Sequence, residues 1–206
     1  MKTGYTFFVL ATSMAAALNM ENYSPEKGVQ PEFKTFYEAL VGQADNATAT
    51  TSFTDFFTAD GHQTTLTLDC VGPAKILKCK QGFLPPDGSK TLTHFPNRAF
   101  IFNNSATETV YEVHGRIEHN YLKGNCSQNI YKTRYTILKT DKRVEAAPNL
   151  TPKPMHQVTS YNDVFVEPPY VPNGVPCESL EGKGKGKPAA AAAAPAKDSK
   201  GKRWEA

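Results

Sequence analysis

Apolar positions along the chain recur first at helical spacing. From Pro31, a favourable first helical residue, Phe33, Phe36, Tyr37, Leu40 and Val41 follow at offsets of three and four, which predicts one buried face of an amphipathic helix. After a connection rich in Thr, Ala and Asn, Phe53, Phe56 and Phe57 repeat that spacing until Asp60-Gly61, so a second helix is expected to stop there. Thr64 to Cys70 then alternates, with Leu66 and Leu68 on one side, as a short strand does. Gly72-Pro73 opens a third helix with Ile76, Cys79 and Phe83 inward and Lys75, Lys78 and Lys80 mostly outward, and Pro85-Pro86-Asp87-Gly88 closes it.

The remainder reads as strands: Ala99 to Asn103, Glu108 to Leu122, Gln128 to Lys139, and an edge segment from Val158 to Val166. Lys123-Gly124-Asn125 would turn the two long strands into an antiparallel hairpin. Helices followed by a strand-rich half give an α+β class, with the helices packed on one face of a curved antiparallel sheet.

The two ends change the picture. One lysine, an apolar run from Phe7 to Leu18 and the small residues Ala15-Ala16-Ala17 read as a secretory signal peptide over residues 1–17, cut near Ala17, too short for a transmembrane anchor. The chain is therefore expected outside the cell, with a folded domain over residues 29–177. From Gly182 the tail carries six Lys and one Arg against Asp198 and Glu205, a balance of +5, whereas the whole chain is only +3. The rest is slightly acidic, so the basic balance does not argue for a nucleic-acid groove. Residues 178–206, rich in Lys, Ala and Gly, have too little apolar bulk to order themselves and are expected to form a disordered tail, a spacer or a handle for an anionic surface.

In an oxidising compartment four cysteines suggest two bridges, with three possible pairings. We favour Cys70 with Cys79 and Cys126 with Cys177. The spacing fits no common zinc module, and no metal is expected. Five N-x-S/T sequons, at Asn22, Asn46, Asn103, Asn125 and Asn149, are glycosylation candidates of a secreted glycoprotein.

The stretch "FTDFFTADGHQTTLTLDC" followed by "GPAKILK" resembles the F-x-x-F-F-x-x-D-G, strand, G-x-x-x-I opening of SnoaL-like proteins in the nuclear-transport-factor-2-like superfamily. "ETVYEVHGRIEHNYLKGN" and "NIYKTRYTILKTDKRVEA" are similar to its long paired strands, and the resemblance, to a secreted fungal-type member, spans about Pro31 to Ala147. It implies a cone whose open end holds a pocket for a small, mostly apolar molecule, isomerised, dehydrated or cyclised in some members and only bound in others. No cofactor is implied.

Alternation along Glu108 to Leu122 sends Thr109, Tyr111, Val113, Gly115, Ile117, His119 and Tyr121 to one face, toward the helices, and His114 to the other. Tyr131, Tyr135 and Ile137 share a face of the next strand. His62, where the second helix would turn into the first strand, is expected near the mouth of the cone. His62 and His119 are thus the catalytic candidates, with Tyr37, Asp69, Tyr111, Tyr121 and Tyr131 around the pocket and His94 able to join them. Imidazole beside phenol suits proton transfer near neutral pH. The grouping loosely resembles that of fungal scytalone dehydratases. His114 to His119 spells H-x-x-x-E-H rather than a zinc-protease motif, and no phosphate loop, nucleophile elbow or dinucleotide fingerprint is present. The alternative is a secreted, non-enzymatic interaction protein using the scaffold and its basic tail.

Overall fold

A computed structural model describes residues 18–65, 67–122, 126–139, 148–150 and 153–166. The expected signal peptide (residues 1–17), the expected tail (residues 178–206), Asn125 and the expected Cys126–Cys177 pairing fall outside these residues. Three helices, α1 (Pro31–Asp45), α2 (Thr51–Thr54) and α3 (Pro73–Phe83), pack against one face of a six-stranded sheet. Its strands are β1 (Phe57–Thr65), β2 (Leu68–Val71), β3 (Lys90–Asn104), β4 (Glu108–Tyr121), β5 (Cys126–Leu138) and β6 (Val158–Val166), in the order β2-β1-β6-β5-β4-β3.

The α1 face forms as its spacing predicts. Phe33, Phe36, Tyr37, Leu40 and Val41 are all buried, Phe33 stacks on Tyr111 at 3.9 Å between ring centroids, and Tyr37 meets Tyr135 edge-on at 5.5 Å. Such aromatic pairs add to the area they bury. The β4–β5 hairpin is antiparallel, with Tyr111 opposite Tyr135 and Gly115 opposite Tyr131.

Three local expectations need correction. The second helix is a single turn, and Phe57 already begins β1. Asp60-Gly61 lies inside that strand, where the β1–β6 register shifts, and a Cβ at Gly61 would sit 2.9 Å from the Val158 carbonyl oxygen. The dipeptide therefore marks a bulge, a use of glycine that looks the same in sequence as a helix stop. β6 is a central strand, parallel to β1 and antiparallel to β5, so the sheet is mixed. β3 starts at Lys90, and its Pro96 is tolerated because β3 is an edge strand. Residues 19–26 run along that edge: Asn19 N–H bonds the His94 carbonyl at 3.1 Å and Glu26 N–H the Ala99 carbonyl at 2.8 Å.

Bulges in β3, and between β5 and β6, bend the sheet around α1. The Cys70–Cys79 disulfide ties β2 to α3. Asn22, Asn103 and Asn149 are exposed, and Asn46 is half-buried, its side-chain oxygen accepting from Thr48.

Gly115 has a steric role in the sheet. A Cβ there would lie 2.5 Å from the Phe95 carbonyl oxygen and 2.7 Å from the Tyr131 hydroxyl, so the glycine leaves a slot for the phenol of the neighbouring strand. Tyr131 in turn hydrogen-bonds Tyr37 on α1 at 2.9 Å between hydroxyl oxygens. Gly115→Ala should overpack this layer and destabilise the fold by about 1–3 kcal/mol. Urea unfolding checks this, with Gly42→Ala, at an open helical position, as the control.

Candidate functional site

A cavity of about 240 Å³ opens between the concave face of the sheet and the α2 and α3 side of the molecule. Phe53, Phe83, Leu84, Leu92 and Ile117 supply its apolar wall, and Gln63, Thr65, Lys80, Lys90, His94, His119, Asn129 and Asp163 its polar groups. Register explains the convergence. Leu92 lies opposite His119 and His94 opposite Ile117 on β3 and β4, while Ile117 is opposite Asn129 on β5. Residues opposite one another share a face, so both histidines project to the same side.

His94 is anchored from behind by the last residue of α1. Its Nδ1–H donates to Asp45 Oδ1 at 2.6 Å and its backbone N–H to Oδ2 at 3.1 Å, with the Asp45 side chain wholly buried. Burial alone would push the imidazole down, but the charge and hydrogen bond of Asp45, aided by Asp163, more than offset it and hold His94 above its ordinary pKa. His119 behaves oppositely. Burial, reinforced by the positive charges of Lys90 and His94, lowers it to about 4, and its buried Nδ1 has no hydrogen-bond partner. A buried lone pair without a partner is tolerated better than a buried N–H, which puts the hydrogen of neutral His119 on Nε2.

Asp163, on β6, also lines the cavity. Burial pushes its carboxyl above the usual range, partly countered by hydroxyl donation from Thr133 at 2.5 Å and Thr65 at 2.9 Å. Lys80 crosses inward from α3 and donates to the carbonyls of Asn46 at 2.6 Å and Ala49 at 3.3 Å, which is why this lysine is buried rather than outside as expected. Among the described residues no group of three or more His, Cys, Asp or Glu could hold a metal ion.

The sequence candidates divide between this cavity and elsewhere. His119 and His94 line it. Tyr37 and Tyr131 lie beneath it as a buried hydroxyl pair, with Tyr131 edge-on to His94 at 5.3 Å between centroids. Burial pushes both phenols up, so they act as neutral hydrogen-bonding groups. Tyr111 is buried against Phe33 and donates to Gln30 at 2.5 Å, and Tyr121 is exposed, so neither lines the cavity. His62 corrects its expected placement: it pairs with Asp69 across the β1–β2 hairpin at 3.2 Å, both about half exposed, while its neighbour Gln63 takes the cavity side. Asp45 and Asp163 are not among the sequence candidates. Asp45 continues the row Phe33, Tyr37, Val41 at steps of four, so a carboxylate on a buried helix face is the readable signal.

Solved structures similar to this chain include a candidate aromatic ring hydroxylase from Novosphingobium aromaticivorans, with TM-score 0.51, 12% identity and coverage of 67% of this chain and 90% of that one. A candidate scytalone dehydratase from the same organism gives 0.48, 13%, 70% and 89% for the same measures, and Aln2 from a Streptomyces species gives 0.47, 13%, 66% and 87%. No protein-family model and no curated protein matches the sequence. At such identity the likeness shows the fold alone, an α+β cone of helices against a curved sheet.

The two imidazoles give opposite pH arms to stability. The folded chain keeps His119 neutral down to about 4, whereas an ordinary histidine takes up its proton near 6.5, so stability is lost as pH falls through that interval. Folded His94 holds its proton above 6.5, so its contribution is full below that value and is lost as pH rises through its folded pKa. Urea unfolding from about pH 4 to about pH 9 should show that His119→Gln flattens the acid arm and Asp45→Asn the alkaline arm.

Proposed function

We propose that the cavity binds a small, mostly apolar molecule and that its two histidines move protons on it, without a cofactor, in an elimination of water or an isomerisation. The observation that carries this reading is the pair of imidazoles on one cavity wall whose surroundings drive their pKa values apart. Opposite protonation states in one site assign an acid and a base.

In the eliminating version, a β-hydroxyketone enters with its apolar body against Phe53, Leu92 and Ile117. The unprotonated nitrogen of neutral His119 takes the proton from the carbon beside the carbonyl, after the ring turns that nitrogen to the substrate. The C–H electron pair forms the new C=C bond, the C–O bond breaks, and protonated His94 gives its Nε2 proton to the departing oxygen as water leaves. Asp45 keeps the His94 ring oriented and stabilises its charge throughout. Without a leaving group, the same two positions exchange a proton between carbons and shift a double bond.

On this reading the protein works outside the cell, as its leader-like first residues and its sequons suggest. The alternative, a partner-binding scaffold with a basic handle for an anionic surface, rests on residues 178–206, which lie outside the described residues.

A panel of aryl β-hydroxyketones, followed by the absorbance of the enone product, tests the reading. The rate should follow a bell in pH, rising as His119 loses its proton above about 4 and falling as His94 loses its own above 6.5. His94→Gln and His119→Gln should each lower kcat by about 10²–10⁴. Wild-type rates in both variants would contradict it.

A further inference from the structure

The charges around the cavity are not balanced. Lys80 and Lys90 both line it, and His94 adds a third basic group. Asp45 is committed to His94 by both oxygens, and the oxygens of Asp163 are taken up by the hydroxyls of Thr65 and Thr133. Lys80 is engaged with two loop carbonyls. Lys90 is not: among the described residues its ammonium has no hydrogen-bond or ion-pair partner, and it lies 5.9 Å from the centre of the exposed Tyr121 ring. Burial lowers its pKa, the mark of a cation removed from water without a counter-charge.

An ammonium half-withdrawn from solvent at the edge of an apolar cavity is stabilised by an anion that arrives with the ligand. We propose, building on the ligand-binding reading above, that the cavity selects small apolar monoacids and that Lys90 is the specificity residue, holding the ligand's carboxylate at the rim while its apolar body lies against Leu92 and Ile117. A volume of about 240 Å³ suits one aromatic ring with a short arm rather than a large polycycle. The carboxylate would replace water on Lys90 and form a charge-assisted hydrogen bond, stronger than a neutral pair makes. Lys90 acts on binding through the ligand's carboxylate, and it reaches the reaction only through the positive charge that helps lower His119.

Cinnamate and methyl cinnamate share an apolar frame and differ in the anionic group, so calorimetric titration of the full chain with each isolates the effect. Cinnamate should bind about tenfold or more tighter than the ester. Lys90→Met and Lys90→Gln should abolish the acid's advantage over the ester, while Lys75→Met, on the exposed side of α3, keeps the preference. Equal Kd values in the wild type, or a preference surviving in both Lys90 variants, would overturn the assignment. If the ester binds and the acid has no advantage, only the anion selection fails and the apolar cavity stands. Binding of neither compound would count against both readings.

Discussion

The contact between Asp45 and His94 is the constraint on which the site depends. A carboxylate at the end of α1, wholly shielded from solvent, is bound through both oxygens to one residue of the edge strand β3. Burying such a charge costs several kcal/mol unless it is paired and hydrogen-bonded, so the helix end and the strand must meet in this geometry. The same contact determines which ring nitrogen of His94 carries the structural hydrogen and raises the ring's affinity for a second proton. Fold and chemistry therefore share one interaction: moving α1 would expose Asp45 and release His94 together.

Around that contact the sheet keeps two kinds of surface apart. Its concave side is an aromatic floor, with Tyr131 admitted by Gly115 and bonded to Tyr37, above which polar side chains from β1, β3, β4, β5 and β6 reach the cavity. Its outer side carries charge laid over aromatic rings: the Arg116 guanidinium lies 3.7 Å from the Phe95 ring centre and that of Arg134 3.5 Å from Phe102. Glu112 accepts from His114 at 2.6 Å and from Arg134 at 2.8 Å on that side. His114 and His119 belong to one strand yet serve different surfaces, because their separation is odd.

The same parity rule accounts for much of what could be read from the chain. Helical offsets in α1 and alternation in β4 and β5 place residues by local geometry, and His119 reaches the cavity as expected. The aromatic spacing of Phe53, Phe56 and Phe57 satisfies a helix, but the chain turns into β1 because pairing with the distant β6 outweighs local preference. That pairing also reverses His62, since a strand beginning at Phe57 gives the inner face to Gln63. Lys80 and Asp163 look like surface residues by composition. Their burial depends on partners 30 or more residues away in the chain, the loop carbonyls for one and the hydroxyls of Thr133 and Thr65 for the other, which no local pattern reveals.

The central claim is that one cavity holds two histidines in opposite protonation states. Long-range nitrogen–proton NMR of imidazole-labelled protein reads the state of each ring directly. At about pH 6, between the two displaced pKa values, His94 should show two protonated nitrogens and His119 one, with its hydrogen on Nε2. Two rings titrating together near the ordinary value of 6.5, or a charged His119 beside a neutral His94, would contradict the account.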